Sequence, residues 1–323
     1  MVSKAIKDGI IKALRTAAFL LAIIIPISLG VTLLRHTGFF LWLADKIEPA
    51  MRIFGLPGEA VVPIVVGAFA DEYATAAVMN GFSFNAAHST IIAMVVLAFH
   101  SLPVETVITR QIGMPAFRMA LLRLGLAVFT GIVVAIISAL FIGGNMPGTL
   151  PDAVVAGGAI QSGSAAGGIF DASREVILNE MGMGVLNTVF LLLRVLIPLM
   201  IGIELMMAYK IIEAMAKKLG FFCKLLDIGK EALLPLLVGL FLGVTYGAGA
   251  IAEMNRVRPL PKKDMALLGV FLFSCHGIIE NTYLFALAGA NAIIISVFRL
   301  AIAIGLTAAT GRLVLREKQE ENI

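Results

Sequence analysis

The chain has 323 residues, 59% of them hydrophobic and 14% charged, with a net charge of +4 and a mean hydropathy of +0.98. A soluble domain has roughly 45–50% apolar and about 25% charged residues, so lipid is the solvent for most of this surface. The small positive charge is no signal for a nucleic-acid partner, and ~10-residue alternating segments of the membrane-barrel kind are missing; the predicted class is an all-α polytopic membrane protein.

Lys4, Lys7, Lys12 and Arg15 open the chain ahead of a long apolar run. No small-residue cleavage site follows, so this run is read as a first membrane segment rather than a removed leader. Four hydrophobic segments follow one another in the first half, at about 16–35, 59–80, 88–109 and 117–143. Four more occupy the second half, at about 182–208, 229–251, 264–285 and 288–311. Each of these runs is long enough for about one bilayer crossing as a helix. Amphipathic stretches at 38–54 and 210–226 are expected to lie along the interface, with Trp42 as an anchor.

The two halves repeat. Pro26–Gly67 lies over Pro198–Gly239 without a gap, with ten identities that include Glu59/Glu231, Ala60/Ala232, Pro63/Pro235 and Gly67/Gly239. The clearest blocks are GEAVVPIVVG and KEALLPLLVG. The organisation read from this is repeat 1 at 1–143, a Gly/Ala-rich linker on the outer side at 144–181, and repeat 2 at 182–323.

Charge decides the topology. If all eight segments cross, Lys and Arg divide almost evenly between the two sides, against the positive-inside tendency. If 59–80 and 229–251 enter and turn back, 19 of the 25 Lys and Arg fall on the cytoplasmic side. Three crossings per repeat is an odd number, so the repeats would have opposite orientation. The expectation is an inverted repeat in the cytoplasmic (inner) membrane, with one re-entrant hairpin in each half and both termini cytoplasmic. Pro63 and Gly67, and Pro235, Gly239, Gly243, Gly247 and Gly249, are the residues expected to break a straight helix in the hairpins. Irregular backbone at membrane depth is tolerated where protein or a watery cavity satisfies it.

Ionisable residues in such segments are costly and are candidates for function. One cluster is Asp71-Glu72-Tyr73, just after the first hairpin's expected break; its counterpart in repeat 2 offers Thr245 and Tyr246. The next is His100, Ser101, Pro103 and Glu105, and its repeat partner is Cys275, His276, Gly277, Glu280 and Asn281. Pro103 and Gly277 would break these helices and free backbone groups for a ligand. Asp71, Glu72, His100, Glu105, Cys275, His276 and Glu280 are good ligand types for a divalent transition metal, and His with Glu suits a proton relay equally well. Arg123 and Arg299 are repeat partners, for which snorkelling to the interface is the ordinary expectation. Cys223 and Cys275 sit in different contexts, so no structural disulfide is expected. There is no Walker motif, dinucleotide fingerprint or nucleophile elbow, so nothing argues for an enzyme.

The paired blocks, each followed by a polar hairpin and a broken helix, resemble the nucleoside-recognition or Gate domain. That domain is shared by concentrative nucleoside transporters, ferrous-iron permeases and spore-maturation membrane proteins. The resemblance implies an inverted-repeat transporter-like core with re-entrant hairpins. By position it implies that Asp71, Glu72, Thr245 and Tyr246 face a solute. The first half has Phe99 where the second has Cys275, and Asn and Gln are few near the breaks, so the substrate is not carried over. The function expected is a permease with a midplane polar site between the repeats, for a divalent metal or a proton-coupled small solute. Nucleoside transport and a non-transporting binding or assembly role are the alternatives, and an intramembrane hydrolase is a distant third. Besides membrane lipid and the solute or ion, no partner is specified, and a monomer and a homodimer are equally compatible.

Overall fold

The computed structural model describes residues 2–104, 106, 116–140, 174–257 and 259–320. All regular structure among them is helical. Among the described residues, six helices or helix pairs are long and apolar enough to cross a bilayer: Val2–Leu34, Ala86–Val104, Ala116–Leu140, Glu175–Ala208, Lys262–Leu287 and Ala292–Arg312. Large apolar side chains such as Phe19, Phe117, Phe129 and Phe190 are exposed on these helices, as expected of lipid-facing surfaces.

Each half presents the same succession. In the first, α1 (Val2–Arg35) is followed by α2 (Gly38–Arg52), a 3₁₀ turn at Gly58–Ala60, α3 (Val61–Phe69) and α4 (Glu72–Met79). Then come α5 (Ala86–Phe99), which resumes for a turn after His100 and Ser101, and α6 (Ala116–Leu140). In the second, α7 (Arg174–Ala208) leads to α8 (Ile211–Lys218) and α9 (Phe221–Leu226). α10 (Lys230–Val257), α11 (Lys262–Ser274), α12 (Ile278–Leu287) and α13 (Ala292–Glu320) complete it. α1 and α7 each carry one internal proline, Pro26 and Pro198, at matching positions of the repeat.

Several elements depart from the expected pattern. The amphipathic stretch at 210–226 is two short helices, because the chain turns at Leu219–Gly220 between them. α7 begins at Arg174, inside the segment read as linker, and the rest of that linker lies outside the described residues. The segment 59–80 is not one helix. α3 and α4, with nine and eight residues, pack against each other around a break at Ala70–Asp71. At 1.5 Å per residue neither reaches half of a ~30 Å hydrocarbon core. In the second half the corresponding break is inside α10 at Gly243, whose φ of 73° and ψ of 172° interrupt the helical run.

Thus Pro63, Gly67, Pro235 and Gly239 do not mark the breaks; all four lie within helical stretches. The prolines sit in the early turns of their helices, where few or no backbone hydrogen bonds are lost. The two glycines serve close packing. A Cβ on Gly67 would meet Thr75 Oγ1 and Val96 Cγ1 at 2.5 Å, and one on Gly239 would meet Leu272 Cδ1 at 2.6 Å. Val96 and Leu272 are themselves repeat partners, so the same close approach of hairpin to the next helix occurs twice.

The chain forms two compact units. One comprises Ile11–Pro198 and Thr282–Ile295, and its helix contacts centre on α5, which packs along α6 and against the α3–α4 pair. The other comprises Met1–Ile10, Leu199–Asn281 and Ser296–Ile323, where α10 packs against α8, α9 and α11. In that unit the packing is close enough that a Cβ on Gly9 would lie 2.8 Å from Ile201 Cα.

Candidate functional site

In the unit holding α3–α6, the hairpin turn meets the break in the long helix that starts at α5. Asp71 is the N-cap of α4: its carboxylate accepts from the Ala74 N–H at 2.6 Å, and its extended backbone ends the preceding helix. A comparable interruption ends α5. His100 is its C-cap, and Ser101 adopts the left-handed region with φ 50°. Ser101 donates twice to the hairpin, from its N–H to Gly67 O at 2.9 Å and from Oγ to Ala70 O at 2.7 Å. His100 is 2% exposed, and its Nε2 lies 3.5 Å from Glu72 Oε2. Asp71, Glu72, His100 and Ser101, four of the candidate residues of the sequence, therefore form one polar centre. Pro103 lies in the helical turn just past the break, as its preset φ favours. Glu105 lies outside the described residues.

In the other unit the arrangement returns with different side chains. Gly277, at φ 55°, takes the place of Ser101, and its N–H donates to Gly239 O at 3.3 Å. His276 Nδ1 lies 2.8 Å from Leu272 O; a carbonyl only accepts, so Nδ1 carries the proton and Nε2 faces away from this bond. Glu280 is 6% exposed. Its Oε2 lies 3.4 Å from where a Cβ on Gly243 would be and 3.6 Å from the same point on Gly277. One buried carboxylate thus lies beside two glycines of positive φ, one of them at the break in α10. Asn281, 1% exposed, donates to His276 O at 3.2 Å. Cys275 is fully buried as the C-cap of α11, and neither it nor Cys223 is in a disulfide. Thr245 and Tyr246 fall in the second arm of α10, and their side chains lie outside the described residues.

The carboxylate and its helix break are exchanged between the two centres. In the first, the acid is on the hairpin, as Glu72, and reaches the broken helix. In the second, the acid is on the broken helix, as Glu280, and reaches the hairpin.

Arg123 and Arg299 do not snorkel; they are 4% and 3% exposed. Arg123 donates from Nε to Ala98 O at 3.0 Å and from Nη2 to His100 O at 3.2 Å. Arg299 Nη2 donates to His276 O at 3.0 Å. A helix that stops inside the membrane leaves its last carbonyls without amide partners. In both halves a guanidinium from the following helix supplies them, with a charge suited to a helix C-terminus. The sequence signal is present in the matched LLRLGLA and VFRLAIA segments, but their apolar flanks suit a helix end equally well. Among the described residues, no three or more of His, Cys, Asp and Glu come together as a metal-holding group.

The hairpin and broken helix of the first half have counterparts in known proteins. A family model described as Gate, nucleoside recognition, matches residues 17–139, from within α1 almost to the end of α6. YvoD, an uncharacterized membrane protein of Bacillus subtilis (strain 168), is 30% identical over 301 residues, covering 93% of this chain and 92% of that protein. No solved structure matches. With both likenesses covering the hairpin and the broken helix of the first half, and one running through the second, this chain belongs to the Gate, or nucleoside-recognition, family of membrane proteins.

Proposed function

We propose that this protein is a permease of the cytoplasmic membrane that moves a small polar solute in company with protons. The observation that carries this reading is the recurrence of one design: a hairpin fixed by backbone hydrogen bonding to a helix that breaks at a buried histidine, with a carboxylate at the junction. Such breaks expose backbone donors and acceptors to a solute while arginine satisfies the residual helix carbonyls. The His and Glu pairs have the chemistry of a proton relay. A divalent metal as cargo fits less well, since a tight site for such an ion takes three or more protein ligands, and the described residues assemble none. The family description names nucleoside recognition, which makes nucleosides the first solutes to test.

The reading includes an inverted repeat with two re-entrant hairpins, both termini on the cytoplasmic side, and no catalytic step. Among the described residues, three helices or helix pairs in each half that are long and apolar enough to cross support it, as do hairpin arms too short to span. Arg123, one of the 19 cations assigned to the cytoplasmic side from sequence, is buried in α6 and leaves 18 Lys and Arg there, still a large majority. The test is uptake of radiolabelled nucleosides into proteoliposomes with an acid exterior. Accumulation that collapses with a protonophore and is lost in Glu72→Gln and Glu280→Gln is expected. Accumulation indifferent to the proton gradient, or intact in both variants, would overturn the proton-coupled reading. Retention of Fe(II), Mn(II) or Zn(II) by the wild type but not by a His100→Ala/His276→Ala variant would restore metal as the cargo.

A further inference from the structure

A second polar feature lies away from both centres, in the unit that contains most of α1 and the N-terminal part of α7. Ser28 and Thr32 on α1, and His36 in the turn directly after it, follow at intervals of four. On α7, Glu180, Gly184 and Asn187 follow at intervals of four and three and share one face. The two groups meet: His36 Nε2 lies 2.9 Å from Glu180 Oε2, each about one-fifth exposed. Beside this pair is a cavity of about 30 Å³ lined by Ser28, Thr32, Asn80, Glu180, Gly184 and Asn187, among others. Asn80 directly follows α4, so the cavity also touches the far end of the first hairpin.

The lining has a definite chemistry. Among the described residues, Glu180 is its one charged member. The others that bear polar side chains supply hydroxyl and amide oxygens. Thr32 Oγ1 gives its proton to Ser28 O at 2.9 Å, so its lone pairs are what it can offer a guest. A set of neutral oxygens with a single carboxylate is a hard-donor site without nitrogen or sulfur ligands, apart from the imidazole already bonded to Glu180. One negative charge balances one positive charge. The volume is enough for an ion with one or two waters, since a single water needs about 10–15 Å³, and far too small for a nucleoside.

We propose that this cavity is a binding site for an inorganic monovalent cation, Na⁺ or K⁺, held by Glu180 and the surrounding oxygens. His36 occupies the same carboxylate and so competes with the ion. Because Asn80 is part of the lining, a bound cation would tie the end of the α3–α4 hairpin to α1 and α7. That gives an ion a means of stabilising one arrangement of the hairpin, independently of which solute the protein carries.

The experiment is thermal unfolding of the purified full-length protein in detergent, in NaCl, KCl or choline chloride at equal ionic strength. No solute or gradient is present, so the outcome is independent of the transport reading. A ligand that binds only the folded state raises the midpoint in step with its occupancy. The expected result is a midpoint a few degrees higher in Na⁺ or K⁺ than in choline, saturable, and lost in Glu180→Gln. Asn187→Ala, which keeps the His36–Glu180 pair, should weaken the apparent affinity several-fold and His36→Gln should strengthen it. These two variants carry the test if Glu180→Gln does not fold. Equal midpoints in all three salts, a rise that survives Glu180→Gln, or no change in affinity in both Asn187→Ala and His36→Gln would overturn the proposal.

Discussion

Asp71 and Gly67 show how differently two neighbouring residues act. Asp71 stands out in the sequence as an intramembrane acid, yet its first task is local: it caps α4 and turns the hairpin. An Asp followed by a short helical run is an N-cap signal in any protein, but the long apolar context hides it. Asparagine caps about as well as aspartate, so Asp71→Asn should fold normally and isolate the charge. Melting of Asp71→Asn should match that of the wild type, whereas Asp71→Ala, which loses the cap, should be less stable by about 1 kcal/mol; equal melting of the two variants would rule out the capping role. Gly67 does not supply flexibility. Gly67→Ala puts a methyl group into Thr75 and Val96, and Gly239→Ala puts one into Leu272. Each should cost about 1–3 kcal/mol as overpacking, read as a lower midpoint in the same assay, whereas Gly30→Ala, with open space around it, should cost little.

Broken helices succeed in lipid only when their loose carbonyls are met, and here the following helix does this in both halves. Replacing Arg123 by Met would leave Ala98 O and His100 O short of their guanidinium donors. Each buried polar group left unsatisfied costs about 1–3 kcal/mol. Arg123→Met is thus expected to unfold at clearly lower temperature than Arg123→Lys, which keeps a donor near one carbonyl; indistinguishable melting would show that water does the capping instead. The blocks GEAVVPIVVG and KEALLPLLVG make the sequence repeat legible, because a Glu-Ala pair and a Pro at the same spacing in two apolar segments seldom coincide by chance. The place of each break is legible only in part. Gly243, one of several Pro and Gly residues in its segment able to interrupt a helix, does so, while the first segment is interrupted at Ala70–Asp71, where neither residue type stands. The first of these breaks has its N-cap in Asp71, and the second has a positive φ that glycine adopts readily, at Gly243. His100 and Glu72 are 28 residues apart, and only the packing of α3 and α4 on α5 unites them.

The proposed odd number of crossings per repeat makes a prediction for the molecule as a whole. Lys46 and Lys218 are repeat partners, on the segments that follow α1 and α7. If the repeats are inverted, these residues are on opposite faces of the membrane. Single cysteines at each position, in a Cys223→Ser/Cys275→Ser background, should react with a membrane-impermeant maleimide from opposite sides of oriented vesicles. Labelling of both from the same side would mean a parallel repeat. Composition conveys the all-helical membrane class because bilayer thickness acts on whole segments. What it does not convey is the pairing of side chains at the centres, which depends on contacts distant in sequence.

The two buried arginines have a further consequence, and it concerns membrane voltage. A guanidinium does not give up its proton at any physiological pH. Arg123 and Glu72 both touch His100, so the first centre contains a permanent cation beside a group able to change charge. Each proton gained or lost there changes the net charge held within the membrane. A full elementary charge moved through 100 mV is worth about 2.3 kcal/mol. Protonation at such a centre therefore answers to the electrical gradient as well as the chemical one, and a potential imposed with valinomycin and K⁺ should alter uptake even with equal pH on both sides.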